Sequence, residues 1–276
     1  VKYEFTGEVK VEFGITLKRI RALVAFAGIA KGEVGGWIEK EENLSQVSSD
    51  AWVSGNARVY GNAWVCGDAQ VYGNAWVCGN ARVCGDARVY GDARVYGNAW
   101  VCGDARVSGN ARVCGDAWVC GDARVCGDAR VYGNAQVYGN ARVSGNAWVY
   151  GNARVCGNAW VYGDAQVCGN AWVCGDAWVC GDARVSGNAS LLFVGPIGSR
   201  NAQLTITADA KIGVRYTTGC FTGSRDEFVK AVSETHFTGK FRAQYDLAIA
   251  LADCSIVPGV PDEAAVGSAD DRGGEL

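Results

Sequence analysis

The sequence predicts an all-β solenoid, and three observations carry that prediction. Between residues 49 and 192 one hexapeptide, Ala-x-Val-y-Gly-Asn/Asp, recurs 24 times with no insertion or deletion. Within each unit Ala and Val alternate with x and y, the period-2 signature of a strand whose successive side chains point to opposite faces. Gly with Asn or Asp closes each unit, and both types suit a bend, through positive φ or a bond to the local backbone. A unit this small cannot bury its apolar face alone, so the units must stack into one continuous core.

Taken in order, residues 1–48 read as an N-terminal cap, because an open solenoid end exposes unpaired strand edges. Residues 3–13 and 17–26 have strand character, Gly35-Gly36 marks a turn, residues 39–42 are solvated and Trp37 is the packing anchor. In the repeats, residues 49–192, the x position holds Arg, Trp or Gln, too large for a narrow core, so Ala and Val face inward. After Leu192 the pattern dissolves into Phe193-Val194-Gly195-Pro196. Residues 203–207 and 212–217 read as a β-hairpin, and Ser224 with Glu227 as a capping box before a helix over 228–234. A second helix is expected over 241–252, with Tyr245, Leu247, Ile249 and Leu251 making apolar contacts. The result is a small α+β module of ββαα order over residues 193–258. Residues 259–276 are acidic and Gly-rich, the composition of a disordered tail.

Pairs such as Val59 and Ala63, Val77 and Ala81, and Val119 and Ala123 place an aliphatic residue four positions before a small one. This pattern resembles the hexapeptide-repeat, left-handed β-helix family. The resemblance covers about half the chain and implies three hexads per triangular coil, hence eight coils of 18 residues. At a strand spacing of about 4.8 Å the rod is roughly 38 Å long. Three inward Val per coil, each contributing about 1.5–3 kcal/mol when fully buried, supply much of its stability. The segments LKRIRAL (17–23) and GGWIEKEENLS (35–45), the GNARVYGNAWV units, and the motifs GPIGSR and GCFTGSRDEF further resemble hexapeptide-repeat proteins encoded by bacteriophages and prophages. That likeness implies a context, the cytoplasm of a bacterial host, and no mechanism. Hexapeptide acyltransferases use a catalytic His and the related carbonic anhydrases bind metal through three. Here the one His, His236, lies outside the repeats. No catalytic residue, cofactor or metal is therefore expected.

Composition narrows the function classes. Net charge is -3, and within the repeats 11 Arg balance 11 Asp, which argues against a DNA mimic and a basic nucleic-acid arm. No apolar stretch approaches the roughly 18 residues of a membrane span, and residues 1–8 carry no apolar signal core, so a cytoplasmic protein is expected. Eleven of the 13 Cys occupy the y position with Tyr and Ser, a pattern expected to leave free thiols in a reducing compartment.

Stepping by 18 sorts the outward residues into three faces. Face one carries Trp52, Gln70, Arg88, Arg106, Arg124, Arg142, Trp160 and Trp178 at x; face two carries Arg58, Trp76, Arg94, Arg112, Arg130, Trp148, Gln166 and Arg184. Face three differs: Trp64, Trp100, Trp118 and Trp172 stand beside a column of Cys66, Cys84, Cys102, Cys120, Tyr138, Cys156 and Cys174. A flat apolar face of this kind usually marks an interface, so it is the expected seam of a homo-oligomer or the seat of a partner. The thiols form a straight ladder without CxxC pairs or His, which gives no tetrahedral closure for a metal. Adjacent coils do lie close enough for disulfides on oxidation.

The Arg88, Arg106, Arg124 and Arg142 column follows corner residues Asp50, Asp68, Asp86, Asp104 and Asp122, so lateral ion pairing is expected. Alternatively these Arg, with Arg94, Arg112 and Arg130 near Tyr90, Tyr96 and Tyr132, grip a polyanion by charge and stacking. In the C-terminal module Cys220, His236, Arg200, Arg225 and Asp226 form the one mixed cluster, readable as packing and capping, as a nucleophilic pair, or as an anion site at two Gly-Ser-Arg turns. The leading reading is a non-enzymatic, phage-type scaffold that self-associates through face three and presents its ends to a host protein or a small anionic ligand. The alternatives are a degenerate hexapeptide acyltransferase and a polyanion or nucleic-acid binder, the nucleic acid disfavoured by the flanking Asp.

Overall fold

Each hexad folds because its three kinds of residue do separate work. The Ala and Val of every unit between Ala51 and Val185 are 0–1% exposed and form one continuous core along the rod. The x-Val pair makes a two-residue strand, and the backbone from x to the corner donates to the next coil: Trp76 N–H to Ala93 O (2.9 Å), Cys78 N–H to Val95 O (3.0 Å) and Asn80 N–H to Gly97 O (2.8 Å). At the corner Gly67 has φ +67°, and a Cβ there would stand 2.8 Å from the Gly85 nitrogen, so close stacking of coils excludes a side chain as firmly as the dihedral does. Corner amides add a second ladder, with Asn80 Nδ2 donating to Asn98 Oδ1 and Asn98 Nδ2 to Asp116 Oδ1, both at 2.9 Å.

The computed structural model describes residues 1–47, 50–181, 183–186, 191–209, 212–219 and 221–256. The chain is a β-solenoid with parallel sheets, as its repeat predicts. Among the described residues face one is an eight-stranded sheet and face three a seven-stranded one. Face two continues into the N-terminal cap. Strictly in-register pairing of Arg88 with Arg106 and of Trp100 with Trp118 confirms the 18-residue coil. Cys220 lies outside the described residues, as does the expected tail.

The cap consists of β1 (Tyr3–Glu12), β2 (Ile15–Ala22) and β3 (Val34–Ile38). Strand β3 pairs parallel with the first strand of face two, Trp37 opposite Arg58, while β2 and then β1 add antiparallel. Gly35-Gly36, expected in a turn, lies inside β3. A Cβ on Gly35 would meet Ile20 Cγ1 at 2.6 Å and Trp52 Cζ2 at 2.7 Å, so the pair serves close packing under the first coil. Trp37 is buried as expected, with Lys10 Nζ 4.4 Å and Arg19 Cζ 5.1 Å from its ring. Buried Asn43 donates to Gly61 O (3.1 Å) and Ala63 O (2.8 Å), satisfying carbonyls that have no preceding coil.

The other end is closed by an antiparallel sheet of β4 (Leu191–Ile197), β5 (Ala202–Asp209), β6 (Gly213–Thr218) and β7 (Phe221–Ser224), with α1 (Arg225–Thr235) and α2 (Lys240–Ser255) packed on it. Four strands thus stand where two were expected, since β4 and β7 flank the predicted hairpin. The capping box at Ser224 and Glu227 forms as predicted. In α2, Tyr245, Ala248, Ile249 and Ala252 face the core, whereas Leu247 and Leu251 are 71% and 49% exposed, against expectation. Helical period 3.6 groups 245, 248, 249 and 252 on one stripe and leaves 247 and 251 outside it. Strand β5 seats on the last coils: Thr205 Oγ1 accepts from Trp178 N–H at 3.3 Å, and Ala183 bridges to Asp209.

Candidate functional site

Face three is a flat sheet whose x column alternates planar groups at coil spacing. Trp100 and Trp118 stack with centroids 5.2 Å apart, and the guanidinium groups of Arg82 and Arg154 lie over Trp100 and Trp172 at 5.0 and 4.9 Å. Trp64, Trp118 and Trp172 remain 44%, 45% and 58% exposed. The Cys column runs beside them. Burial, reinforced by the neighbouring Cys84, pushes the Cys66 thiol up to about 11, and burial with Cys120 and Cys84 does the same to Cys102. These thiols stay protonated near neutral pH and are poor nucleophiles. One rung departs from the expectation of free thiols: Cys156 and Cys174 form a disulfide, their Cα atoms 4.6 Å apart across one coil step. Cys66, Cys84, Cys102 and Cys120 are free, and Tyr138 occupies the rung before the bridge.

The other two faces are treated differently by the N-terminal cap. On face one Trp52 is buried against Phe26, with ring centroids 5.5 Å apart. On face two the β1–β2 turn folds over the first coils, placing Phe13 5.3 Å from Trp76 and Glu12 Oε2 2.6 Å from Arg58 Nε.

Arg88, Arg94, Arg106, Arg124, Arg130 and Arg142 are exposed and Arg112 half-buried. Among the described residues no ion pair joins this set to the corner aspartates. Among the described residues the ion pairs lie at the two ends, such as Arg58–Glu12 and Arg215–Asp209. The expected lateral ladder fails because the two columns run parallel. Corner side chains bond along their own column, Asp68 Oδ1 accepting from Asp50 N–H at 3.0 Å, while Arg side chains lie along their sheet. Arg94, Arg130 and Arg142 rest 4.8, 4.9 and 4.6 Å over Trp76, Trp148 and Trp160. These Arg–Trp stacks were missed at the sequence level, although the 18-residue step already sets each Arg beside its Trp.

In the C-terminal module a cavity of about 280 Å³ brings Arg200 and His236 together with Ser199, Thr218 and Tyr245. The His236 ring stacks on Tyr245 at 5.5 Å and also meets Phe241. Arg225, expected to share an anion site, is held instead by a bidentate pair with Asp253, Nε–Oδ1 2.7 Å and Nη2–Oδ2 2.6 Å. That hydrogen-bonded guanidinium keeps the Asp253 carboxyl below the usual carboxylate range. Asp226 is exposed beyond it. Among the described residues no three His, Cys, Asp or Glu side chains are grouped to hold a metal ion, and no helix is long and apolar enough to cross a membrane.

Eight stretches of the rod match the model of the YdcK beta solenoid repeat: residues 51–67, 69–85, 87–103, 105–121, 123–136, 135–151, 147–163 and 165–181. The rod is thus similar to a repeat family on coil after coil, and these matches say nothing of the two caps. The chain matches no curated protein.

Proposed function

We propose that the chain is a non-enzymatic scaffold of phage type, a rigid rod that self-associates through face three in the cytoplasm of a bacterial host. The carrying observation is the exposure of Trp64, Trp118 and Trp172 on one flat sheet face, at 44%, 45% and 58%. An indole left this open along the length of a rod is costly in water and is the residue type most enriched at interface centres. The N-terminal cap supports the same side: it sets Phe26 on Trp52 of face one and Phe13 on Trp76 of face two, and leaves Trp64 of face three open. The ends then display the C-terminal module to a host protein, or its Arg200 and His236 cavity to a small anion. Replacing Trp100 and Trp118 with Ser tests this reading. Light scattering on the eluting protein should show the assembly falling to smaller species, and an unchanged mass would count against it.

A second reading, a polyanion binder, draws on the exposed Arg88, Arg106 and Arg124, none of which meets a carboxylate among the described residues. Binding to a single-stranded oligonucleotide that weakens steeply with salt would support it, and binding indifferent to salt would remove it.

A further inference from the structure

We infer that the junction between the last coils and the C-terminal sheet is a binding site for a neutral carbohydrate. A cavity of about 410 Å³ lies there, inside the range of about 300–1,000 Å³ usual for small-molecule sites. One side is indole. Trp160 and Trp178 stack at 5.5 Å and 13°, and they are 36% and 38% exposed, so part of this indole pair is open to a ligand. The opposite side is built by β5 and β6 from Gln203, Thr205, Thr217 and Thr218. Thr205 and Thr217 are only 2% and 7% exposed, and their hydroxyls are anchored to Trp178 N–H and to the Cys180 thiol and Thr222. These anchors fix the wall against the rod. Gln203 Oε1 and Thr218 Oγ1, by contrast, are buried with no hydrogen-bond partner. Both residues line the cavity, where a donor on a bound molecule would relieve the desolvation of such an oxygen.

The charge of the lining decides the ligand class. Asp176 is the one ionisable side chain among the described lining residues, and it accepts from Asn158 Nδ2 at 2.9 Å. A carboxylate in the wall repels an anion. A cation is disfavoured from the other side, because the Arg142 guanidinium already lies 4.6 Å over Trp160. What remains is a neutral molecule that is apolar on its faces and both donates and accepts at its rim. A pyranose ring has that form: its C–H faces lie on indole, and its hydroxyls meet the amides and threonines around it. No charged group is needed for such a ligand, and the 410 Å³ space suits a mono- or disaccharide.

The test is saturation-transfer NMR on the full chain with glucose, galactose, N-acetylglucosamine, maltose and chitobiose as probes. At least one sugar should receive saturation on its ring protons. Trp178→Ala and the near-isosteric Thr218→Val should each weaken that sugar about tenfold, while Lys230→Ala on exposed α1 leaves it unchanged. Circular dichroism melts confirm that each variant is folded, and Thr218→Val carries the test if Trp178→Ala does not fold. The proposal is overturned if no sugar receives saturation, or if the binding is indifferent to the folded variants. It is equally overturned if tetramethylammonium binds in place of the sugars, weakened by salt and lost in Asp176→Asn.

Discussion

The indoles of Trp100 and Trp118 lie parallel on face three, their centroids 5.2 Å apart at an interplanar angle of 7°. That spacing is close to the coil rise of about 4.8 Å, so the stack is a product of register rather than of a special local fold. It also means that any change in register would undo the face along its whole length.

Register depends first on the corners. Gly67→Ala should destabilise the rod by more than about 1 kcal/mol, because the new Cβ meets the Gly85 nitrogen at 2.8 Å as well as an unfavourable φ. Gly7→Ala, at φ +90° with nothing within 4 Å, carries only the dihedral cost. Thermal melts of the two variants should rank them in that order, and equal losses would refute the role given to coil stacking.

The core offers a second test. Ala123 and Val125 are fully buried at mid-rod, so Ala123→Leu overpacks a space closed on every side and should cost about 1–3 kcal/mol. Denaturant midpoints measure the loss. A neutral result would mean that the interior is looser than the 0% exposures indicate.

At the C-terminal end Arg215 Nε donates to buried Asp209 Oδ2 at 2.7 Å. Arg215→Ala removes one charged hydrogen-bond partner from that carboxylate and should cost about 1–3 kcal/mol, felt at the last coils. Hydrogen exchange should speed up at Gln166 and Trp160 while the central Arg94 strand stays protected. Uniform loss along the rod would show that the cap is not a local device.

The thiols give a pH prediction. Burial raises Cys66 and Cys102 from the ordinary 9.0 to about 11, so the folded state holds their protons more tightly than the unfolded chain. The stability from this source is fully present below pH 9.0 and is lost as pH rises toward about 11. Melting temperature in reducing buffer should fall across that window, and less so in Cys66→Ser/Cys102→Ser. A flat profile would contradict the assigned burial.

Much of the rod was legible because its contacts are all between identical units 18 residues apart, so one rule for Ala, Val and Gly covers every coil. The caps were less so. Gly35-Gly36 looks like a turn in isolation, and only Ile20 and Trp52 pressing on it reveal a strand. The edge strands β4 and β7 carry weak local patterns and exist through pairing with β5 and β6. The wall of Gln203, Thr205, Thr217 and Thr218 had no signal at all, since it becomes a site only when β5 docks beside Trp160 and Trp178. Conversely the Arg–Trp stacks, such as Arg142 on Trp160, were available from the 18-residue step and were overlooked in favour of ion pairs.

Face-three association is the central claim, and a native mass spectrum in reducing buffer tests it most directly. The wild-type chain should fly as a defined oligomer, and the Trp64→Ser/Trp118→Ser/Trp172→Ser variant should shift to monomer while keeping its melting transition. A monomeric wild-type chain, or an oligomer untouched by the three substitutions, would contradict the account.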